Sequence, residues 1–525
     1  MKQINSYYWD LYKESPIGKS VISDFKKLLY EDLSSDDLYE LVKKYNQEFF
    51  TNSKDIATLK YMLEIVSDEF YYYRDWFRAS NETINYEHLI VDIFDFVAMT
   101  FRRSCHQPYR EAIKFIIPIS INLYKLYPNF FIPYFFVLKF EYLQWIFDEY
   151  GIEIIDMPSK FKYQKRCIFY YYICDSLNKF FEDNKSLNLS PEEKMAFLYG
   201  LSYEVSKKDL KNYPNASPRV WFIGGSFEKD ELQEGRIFWE NNAQTRKGDI
   251  LLFYETSTSL DKANKSQLTS IWRAASDGVV DPFFFYHESA YIEDKIKIPN
   301  ISFDKLYNDP VIGKIGIVRK KFNGICGYEV KPSEYKAILE LIRQTDPSYD
   351  MSQLPVLPEQ TPFKECTINV EADVENNYIL EMLKRMGFGE ESDSNKKFLR
   401  QVPLQLGRIK KEAGGFTDFS LFPFGEDKKY ADVLIETKHG RRELRNEAEV
   451  KKVFKQAESY AAHQYAGLLM LIDENKIRLY TRNSKDGVFE YTPNPKTFKW
   501  VDLNDADTFQ ELQTIIYSYN VHKTH

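Results

Sequence analysis

Seventeen residues separate Asp418 from the tripeptide Glu436-Thr437-Lys438, which closes the apolar run Ala431-Asp432-Val433-Leu434-Ile435. A strand alternates its side chains with period two, so Glu436 and Lys438 share one face while Thr437 points away. Two acids and a lysine can then converge on one phosphate. Phosphodiester hydrolysis needs a cation to polarise the phosphate, a water made nucleophilic near neutral pH, and stabilisation of the charge that builds in the transition state. Asp418 and Glu436 supply hard oxygen ligands of the kind Mg²⁺ or Mn²⁺ takes. Lys438 can orient or deprotonate the water and offset developing charge. Asp432 shares the parity of Glu436, but a strand-entry Asp pairing with Lys428 or Lys429 is the plainer reading. His439 has the opposite parity to Lys438 and reads as structural or substrate-flanking. As a bare tripeptide, E-T-K is an ordinary solvated charge pair; its surroundings favour chemistry.

Those surroundings are a helix from Glu375 to Met386 ended by Gly387, a β segment near Val402 to Leu406, a strand from Asp418 to Phe422, and a Gly-Glu-Asp-Lys-Lys turn. The strand Ala431 to Lys438 follows, then a long helix from Glu447 to His463 and two strands, Leu468 to Ile472 and Lys476 to Tyr480. This order, with its acids and lysine, resembles the PD-(D/E)-x-K nuclease superfamily over roughly 374–480, within it the N-terminal nuclease domain of type I restriction motor subunits. The resemblance implies Glu375 as a third metal ligand, ahead of Leu383-Lys384-Arg385-Met386-Gly387-Phe388, and Gln456 with Tyr460 as a Q-x-x-x-Y element. Thr417 stands where the family has proline before the acid, and Glu381 competes with Glu375 for the upstream role. Lys396, Lys397, Arg400, Arg408, Lys410 and Lys411 precede the proposed centre. Arg441, Arg442, Arg445, Lys451, Lys452 and Lys455 follow it, and phosphate-backbone contact accounts for both groups.

Upstream, Val220-Trp221-Phe222-Ile223, Asp249 to Tyr254 and Pro282 to Tyr286 read as strands, and Ser333 to Arg343 as a closing helix. The stretch Phe238-Trp239-Glu240, the Gly248-Asp249 turn before the strand ending in Tyr254, Ile271-Trp272-Arg273, and Asp281-Pro282-Phe283-Phe284 resemble the PUA-like superfamily, especially its EVE branch. The resemblance implies an aromatic pocket for a flipped, modified base, with Trp221, Trp239, Tyr254 and Trp272 as walls and Arg273 or Asp277 as polar contacts. Unstacking a base costs a few kcal/mol, which stacking on aromatic rings recovers.

From Tyr7 to about Tyr213 the apolar spacing is helical, and Ser190-Pro191-Glu192-Glu193 is an explicit capping box. Aromatic runs such as Phe70 to Tyr73 and Phe169 to Tyr172 read as core rather than as base platforms. The fold class expected is multidomain: an all-α region over 1–213, a PUA-like β-barrel of α+β class over 218–347, a proline-rich linker over 348–373, and an α/β nuclease domain over 374–525.

At 525 residues the chain exceeds one core, and 44% apolar with 28% charged residues is ordinary for a globular protein. Five scattered cysteines support neither a disulfide framework nor a zinc site. The uncharged stretch from Leu126 to Leu138 is too short for a bilayer span. No secretory-signal pattern is visible, so cytoplasmic residence is expected. A net charge of −8 excludes a uniform polyanion-binding coat and leaves nucleic-acid contact to local patches. No G-x-x-x-x-G-K-[ST] element is present, so a motor would be a separate partner, and a homo-oligomer stays open. The combined expectation is a Mg²⁺-dependent endonuclease of restriction type that cuts foreign, phage DNA with modified bases. An RNA-directed nuclease with a YTH/EVE-like reader and a noncatalytic nucleic-acid-binding protein remain as alternatives.

Overall fold

The computed structural model describes residues 3–46, 57, 59–64, 85–102, 105–206, 217–226, 237–256, 265–359, 361–363, 366–392, 396–404, 415–425, 428–482 and 487–520. A helical N-terminal region leads into two sheets, the first a curled half-barrel. The N-terminal helices start where their caps dictate. Ser34 and Asp37 form one reciprocal capping box, Ser190 and Glu193 another, and Ser15 caps a helix with Pro16 in its first turn. Aromatic rings fill the space between them: Phe25 stacks on Tyr199 at 5.3 Å and on Phe135 at 6.3 Å. Phe169 and Tyr170 are buried on the helix Tyr163–Asp183, as a core role requires. The run Phe70 to Tyr73 lies outside the described residues.

The half-barrel contains β1 (Val220–Gly225), β2 (Ile237–Glu240), β3 (Ile250–Glu255), β4 (Gln267–Ala274), β5 (Val279–Val280), β6 (Glu288–Ser302) and β7 (Tyr328–Val330). Its order is β2-β6-β4-β3-β1-β7, with β5 paired to β6 and, among the described residues, a parallel pair only between β1 and β3. Both faces of the central strands are buried, and parity sorts them. Val220, Phe222, Ile250, Leu252 and Tyr254 face the core shared with the helix Pro332–Thr345, while Trp221, Ile223, Leu251 and Phe253 face the other way.

The segment Pro282 to Tyr286, expected as a strand, is a turn that plugs the helical region. The buried Asp281 carboxylate accepts N–H bonds from Phe283 (2.7 Å), Phe284 (3.1 Å) and Leu138 (2.5 Å). Arg166 donates to the carbonyls of Pro282 (2.8 Å) and Phe284 (2.5 Å). With its amides and carbonyls held this way the segment cannot join a ladder, and the Phe283 ring enters the helical core 4.6 Å from Tyr134. Burial raises the Asp281 carboxyl to about 6, against the pull of those N–H donors and of Arg166.

The second sheet runs β13-β12-β11-β10-β9-β8, from β8 (Phe398–Pro403), β9 (Phe416–Phe424), β10 (Tyr430–Thr437), β11 (Leu468–Ile472), β12 (Lys476–Thr481) and β13 (Lys496–Lys499). Its parallel pair, β10 with β11, is joined by the helix Glu447–His463, since parallel neighbours need a crossover. One face packs on that helix, and the other on the helical segment 371–385 and the C-terminal helix Ala506–Ser518. The proline-rich connector is anchored at both ends, with Leu354 in the half-barrel core and Phe363 in the second sheet's core. Arg246 of the half-barrel ties the sheets together: it donates to the Met386 carbonyl at 2.7 Å, beside the Tyr517 hydroxyl at 2.9 Å, and its guanidinium lies 3.9 Å from the Tyr517 ring centre.

Candidate active site

Three pieces of chain bring the predicted chemistry to one end of the second sheet. Strands β9 and β10 are antiparallel with Phe419 opposite Ile435, which sets Asp418 near the start of one beside Glu436 at the end of the other. The Asp418 carboxylate accepts the Thr437 N–H at 2.6 Å, locking the hairpin at the site. The third piece is the helical segment 371–385. The Asp373 carboxylate accepts the N–H groups of Asn369 and Val370 at its start, and Gly387 turns it off at φ 84. A π-turn begins at Glu375, an irregularity that changes which side chains align on the helix face.

Carboxylate oxygens of Glu371, Glu375 and Asp418 lie within 4.8 Å of one another. Glu371 falls within the expected connector 348–373 but is one turn before Glu375, an i, i+4 spacing of acids that is visible in the sequence. The Lys438 ammonium donates to Glu371 at 2.8 Å and forms an ion pair with Glu436 at 2.9 Å, so Glu436 and Lys438 do share a face. Glu375 is held by Arg400 of β8 at 2.5 Å, and Arg400 also pairs with Glu391 at 2.8 Å. Glu381, the rival acid, instead pairs with Arg385 at 2.8 Å. Asp432 lies four residues back along β10, about 13 Å away at the strand rise.

The electrostatics follow from burial and crowding. Desolvation first, then the Glu436 charge, raises the Asp418 carboxyl to about 8, although the Thr437 N–H and Lys438 pull the other way. Burial would lower the Lys438 ammonium, but the carboxylates of Glu436, Glu371 and Asp418 outweigh it and hold the ammonium above its usual range. The result is a charged lysine set among acids that cannot all be ionised together.

Gln456 is exposed on its helix and donates to the Tyr460 hydroxyl at 2.9 Å, as the one-turn spacing requires. That hydroxyl lies against Gly415, where an added Cβ would meet it at 2.6 Å, three residues before Asp418. His439 packs beside Glu474 at 3.8 Å. Of the basic flanks, Arg400 pairs with Glu375 and Glu391, and Lys396 donates to the Glu391 carbonyl at 2.5 Å. Arg408, Lys410 and Lys411 lie outside the described residues, as does the Arg442 side chain. Lys452 and Lys455 are exposed on the long helix, and Lys451 lies 5.6 Å from the Tyr491 ring centre.

The aromatic residues expected to line one pocket are divided between the two faces of the half-barrel. Trp221, Trp239 and Trp272 belong to one cluster, with Trp239 only partly buried and 5.3 Å from Phe253. Tyr254 lies on the opposite face, stacked at 3.8 Å on Phe322, because its parity in β3 is that of Ile250 and Leu252. It therefore cannot wall a pocket with the tryptophans. The Trp221 indole N–H is bound to Asp249 at 2.8 Å and that of Trp272 to Ser270 at 3.0 Å, as buried indoles require. Asp277 is exposed and accepts the Lys247 N–H at 2.9 Å, and Arg273 donates to the Gly248 carbonyl at 2.9 Å.

No protein-family profile matches the chain, and no curated protein matches it. Two solved structures are similar to part of it. An NMR structure of Rpa0253 from Rhodopseudomonas palustris shares 12% identity, covering 23% of this chain and 92% of that one, at a TM-score of 0.20. A crystal structure of Atu2648 from Agrobacterium tumefaciens shares 16% identity, covering 27% of this chain and 99% of that one, at a TM-score of 0.21. Similarity at that level bears on neither fold nor activity. Among the described residues, no helix is long and apolar enough to cross a membrane.

Proposed function

We propose that the chain is a metal-dependent nuclease of the PD-(D/E)-x-K class, joined through a PUA-like half-barrel of EVE type to the choice of DNA carrying modified bases. The observation that carries the reading is the meeting of Glu371, Glu375 and Asp418 with Lys438, from a helix and two strands, at one end of the second sheet. The donor set is carboxylate oxygen throughout, which suits Mg²⁺ or Mn²⁺ and not a soft metal. Asp418 is held up to about 8 by burial and Glu436, so the cluster is short of positive charge, a need that a divalent cation meets. When bound, such an ion supplies Lewis-acid polarisation of the phosphate and a more acidic water.

The remaining work falls to the chain. Lys438 presents a charged ammonium whose three N–H groups are held by Glu371, Glu436 and the Thr437 carbonyl, and exchange of one of these partners lets it donate to a phosphoryl oxygen as negative charge builds there. Glu436 holds that ammonium from the strand side, and Glu371 holds it from the helix side. Arg400 fixes Glu375, and the Thr437 N–H fixes Asp418, so the acids are positioned before substrate arrives. Trp221, Trp239 and Trp272 are the half-barrel residues proposed to serve base recognition, with Trp239 as the ring that is not fully enclosed; Arg273, opposite Ile250 in the β3–β4 ladder, lies on the Tyr254 face.

Purified protein with Mg²⁺ is expected to cut DNA carrying modified cytosines faster than the same DNA unmodified, and to lose cutting in EDTA. Equal rates on both substrates would remove the reader while leaving the nuclease. Faster cutting of matched RNA would reassign the substrate. Tight binding with no turnover under Mg²⁺ or Mn²⁺ would make the chain a binding protein.

A further inference from the structure

Beyond Lys438 the chain turns through His439 and Gly440 along the wall of a cleft of about 890 Å³. Two residues span at most about 7 Å, so the cleft begins next to the acidic site. Tyr378 lines it too, from the same helical segment that carries Glu371 and Glu375. Its acids are already occupied. Asp473 takes Arg478 at 2.8 Å and the N–H groups of Asn475 and Lys476 at 2.7 and 3.0 Å. Glu474 takes the N–H groups of Gly440 at 2.6 Å and Arg441 at 3.2 Å.

Arg441, Lys476 and Lys499 also line the cleft, and among the described residues none of the three has a side-chain ion pair. Lys476 and Lys499 are directly opposite each other in the β12–β13 ladder. Like charges in that position repel, at a cost of up to about 1 kcal/mol. A bound anion between them converts this repulsion into attraction. Three cations on separate pieces of chain, in an open cleft, suit charges spaced along a polymer better than one compact anion.

We propose that this cleft binds the phosphodiester backbone flanking the phosphate at Lys438, with Arg441, Lys476 and Lys499 each serving one phosphate. The inference rests on the nuclease reading of the acidic site.

The test uses the full chain in EDTA with a fluorescein-labelled DNA duplex and its RNA counterpart, titrated from about 50 to 200 mM salt. The triple variant Arg441→Gln, Lys476→Gln, Lys499→Gln is expected to lower the slope of log Kd against log salt by about 2 to 3 and to weaken binding at least about tenfold. In Mg²⁺ its KM should rise while kcat at saturating substrate stays within about twofold. Its thermal midpoint should hold or rise, because removing the Lys476–Lys499 repulsion cannot weaken the ladder; a damaged fold would lower it. Lys438→Met, by contrast, should lose cutting while lowering that slope by no more than about 1. Either polymer satisfies the proposal, and the tighter one identifies the natural backbone. An unchanged slope and Kd in a wild-type background that cuts would overturn the cleft and leave the nuclease standing. A lower kcat at unchanged KM would likewise overturn it. Wild-type protein that neither binds nor cuts would overturn both readings.

Discussion

Lys438→Met removes the cation on which the acidic cluster converges, and its consequences can be worked through. The Lys438 side chain is only 12% exposed and that of Glu436 only 3%, and their charged atoms are 2.9 Å apart. At that 2.9 Å separation, with an effective dielectric of about 20, one such pair is worth roughly 6 kcal/mol before desolvation is counted. Truncating one partner of a buried pair typically costs about 3–5 kcal/mol, because the other charge is left uncompensated. Here Asp418 can relieve part of the excess by keeping its proton, so about 3 kcal/mol is the expected cost, or a fall of roughly 6–12 °C in the melting of the second sheet. The sign with pH follows. Without the ammonium, the Asp418 carboxyl titrates still higher in the folded state, and a raised carboxyl pKa contributes stability that is lost as pH rises through it. The deficit should therefore be larger at pH 8.5 than at pH 6, and Mg²⁺ should recover most of it by replacing the missing charge. Activity should not recover: loss of a positioned donor and proton-transfer group costs about 10²–10⁴-fold. Differential scanning at both pH values, with and without Mg²⁺, alongside single-turnover cutting, measures all of this. A variant that melts with wild type at both pH values and cuts within tenfold of it would refute the reasoning.

Glu371→Gln should raise the Mg²⁺ concentration needed for half-maximal cutting and slow cutting by about 10²-fold, while Glu381→Gln, outside the cluster, should do neither; a Mg²⁺ titration of both variants decides. Asp281, raised from 3.8 to about 6, should make wild-type stability fall as pH rises from about 4 to 6 and level off above, an effect of order 3 kcal/mol. Asp281→Asn should abolish that slope, so the difference between variant and wild type in denaturant titrations must shift in the variant's favour over that window. Phe283→Ala should cost about 3–5 kcal/mol by leaving a cavity beside Tyr134, seen as early exposure of the helical region to protease. Arg246→Met should cost about 1.5–3 kcal/mol, because the Met386 carbonyl loses its charged donor, and should split a single melting transition into separate ones for the two sheets.

Local pattern was a good guide wherever one piece of chain decides its own state. The helix Glu447–His463 and the strand Leu468–Ile472 stand where spacing put them, and the Ser190 capping box forms as written. The period-two argument held for Glu436 and Lys438, and it would also have separated Tyr254 from Trp221 had parity been compared across β1 and β3. Pattern failed where a partner far along the chain intervenes. Pro282 to Tyr286 has the composition of a strand, but Asp281 and Arg166 take its backbone groups. The strand Glu288–Ser302 was missed because Glu293-Asp294-Lys295 interrupts its apolar alternation, and Asp294 sits there at φ 53. The Arg400–Glu375 pair, twenty-five positions apart, is likewise made by the fold and not by local pattern.

The amino-acid order by itself determined which residues could do chemistry and on which face of a strand they would lie, since both depend on side-chain type and on a repeat of two residues. Only the tertiary structure decided that the Glu371–Glu375 pair meets Asp418, that Lys438 bridges helix and strand, and that Lys476 faces Lys499 beside Arg441. These are meetings of segments whose separation in sequence carries no signal of contact, brought about by burying the second sheet between its helices.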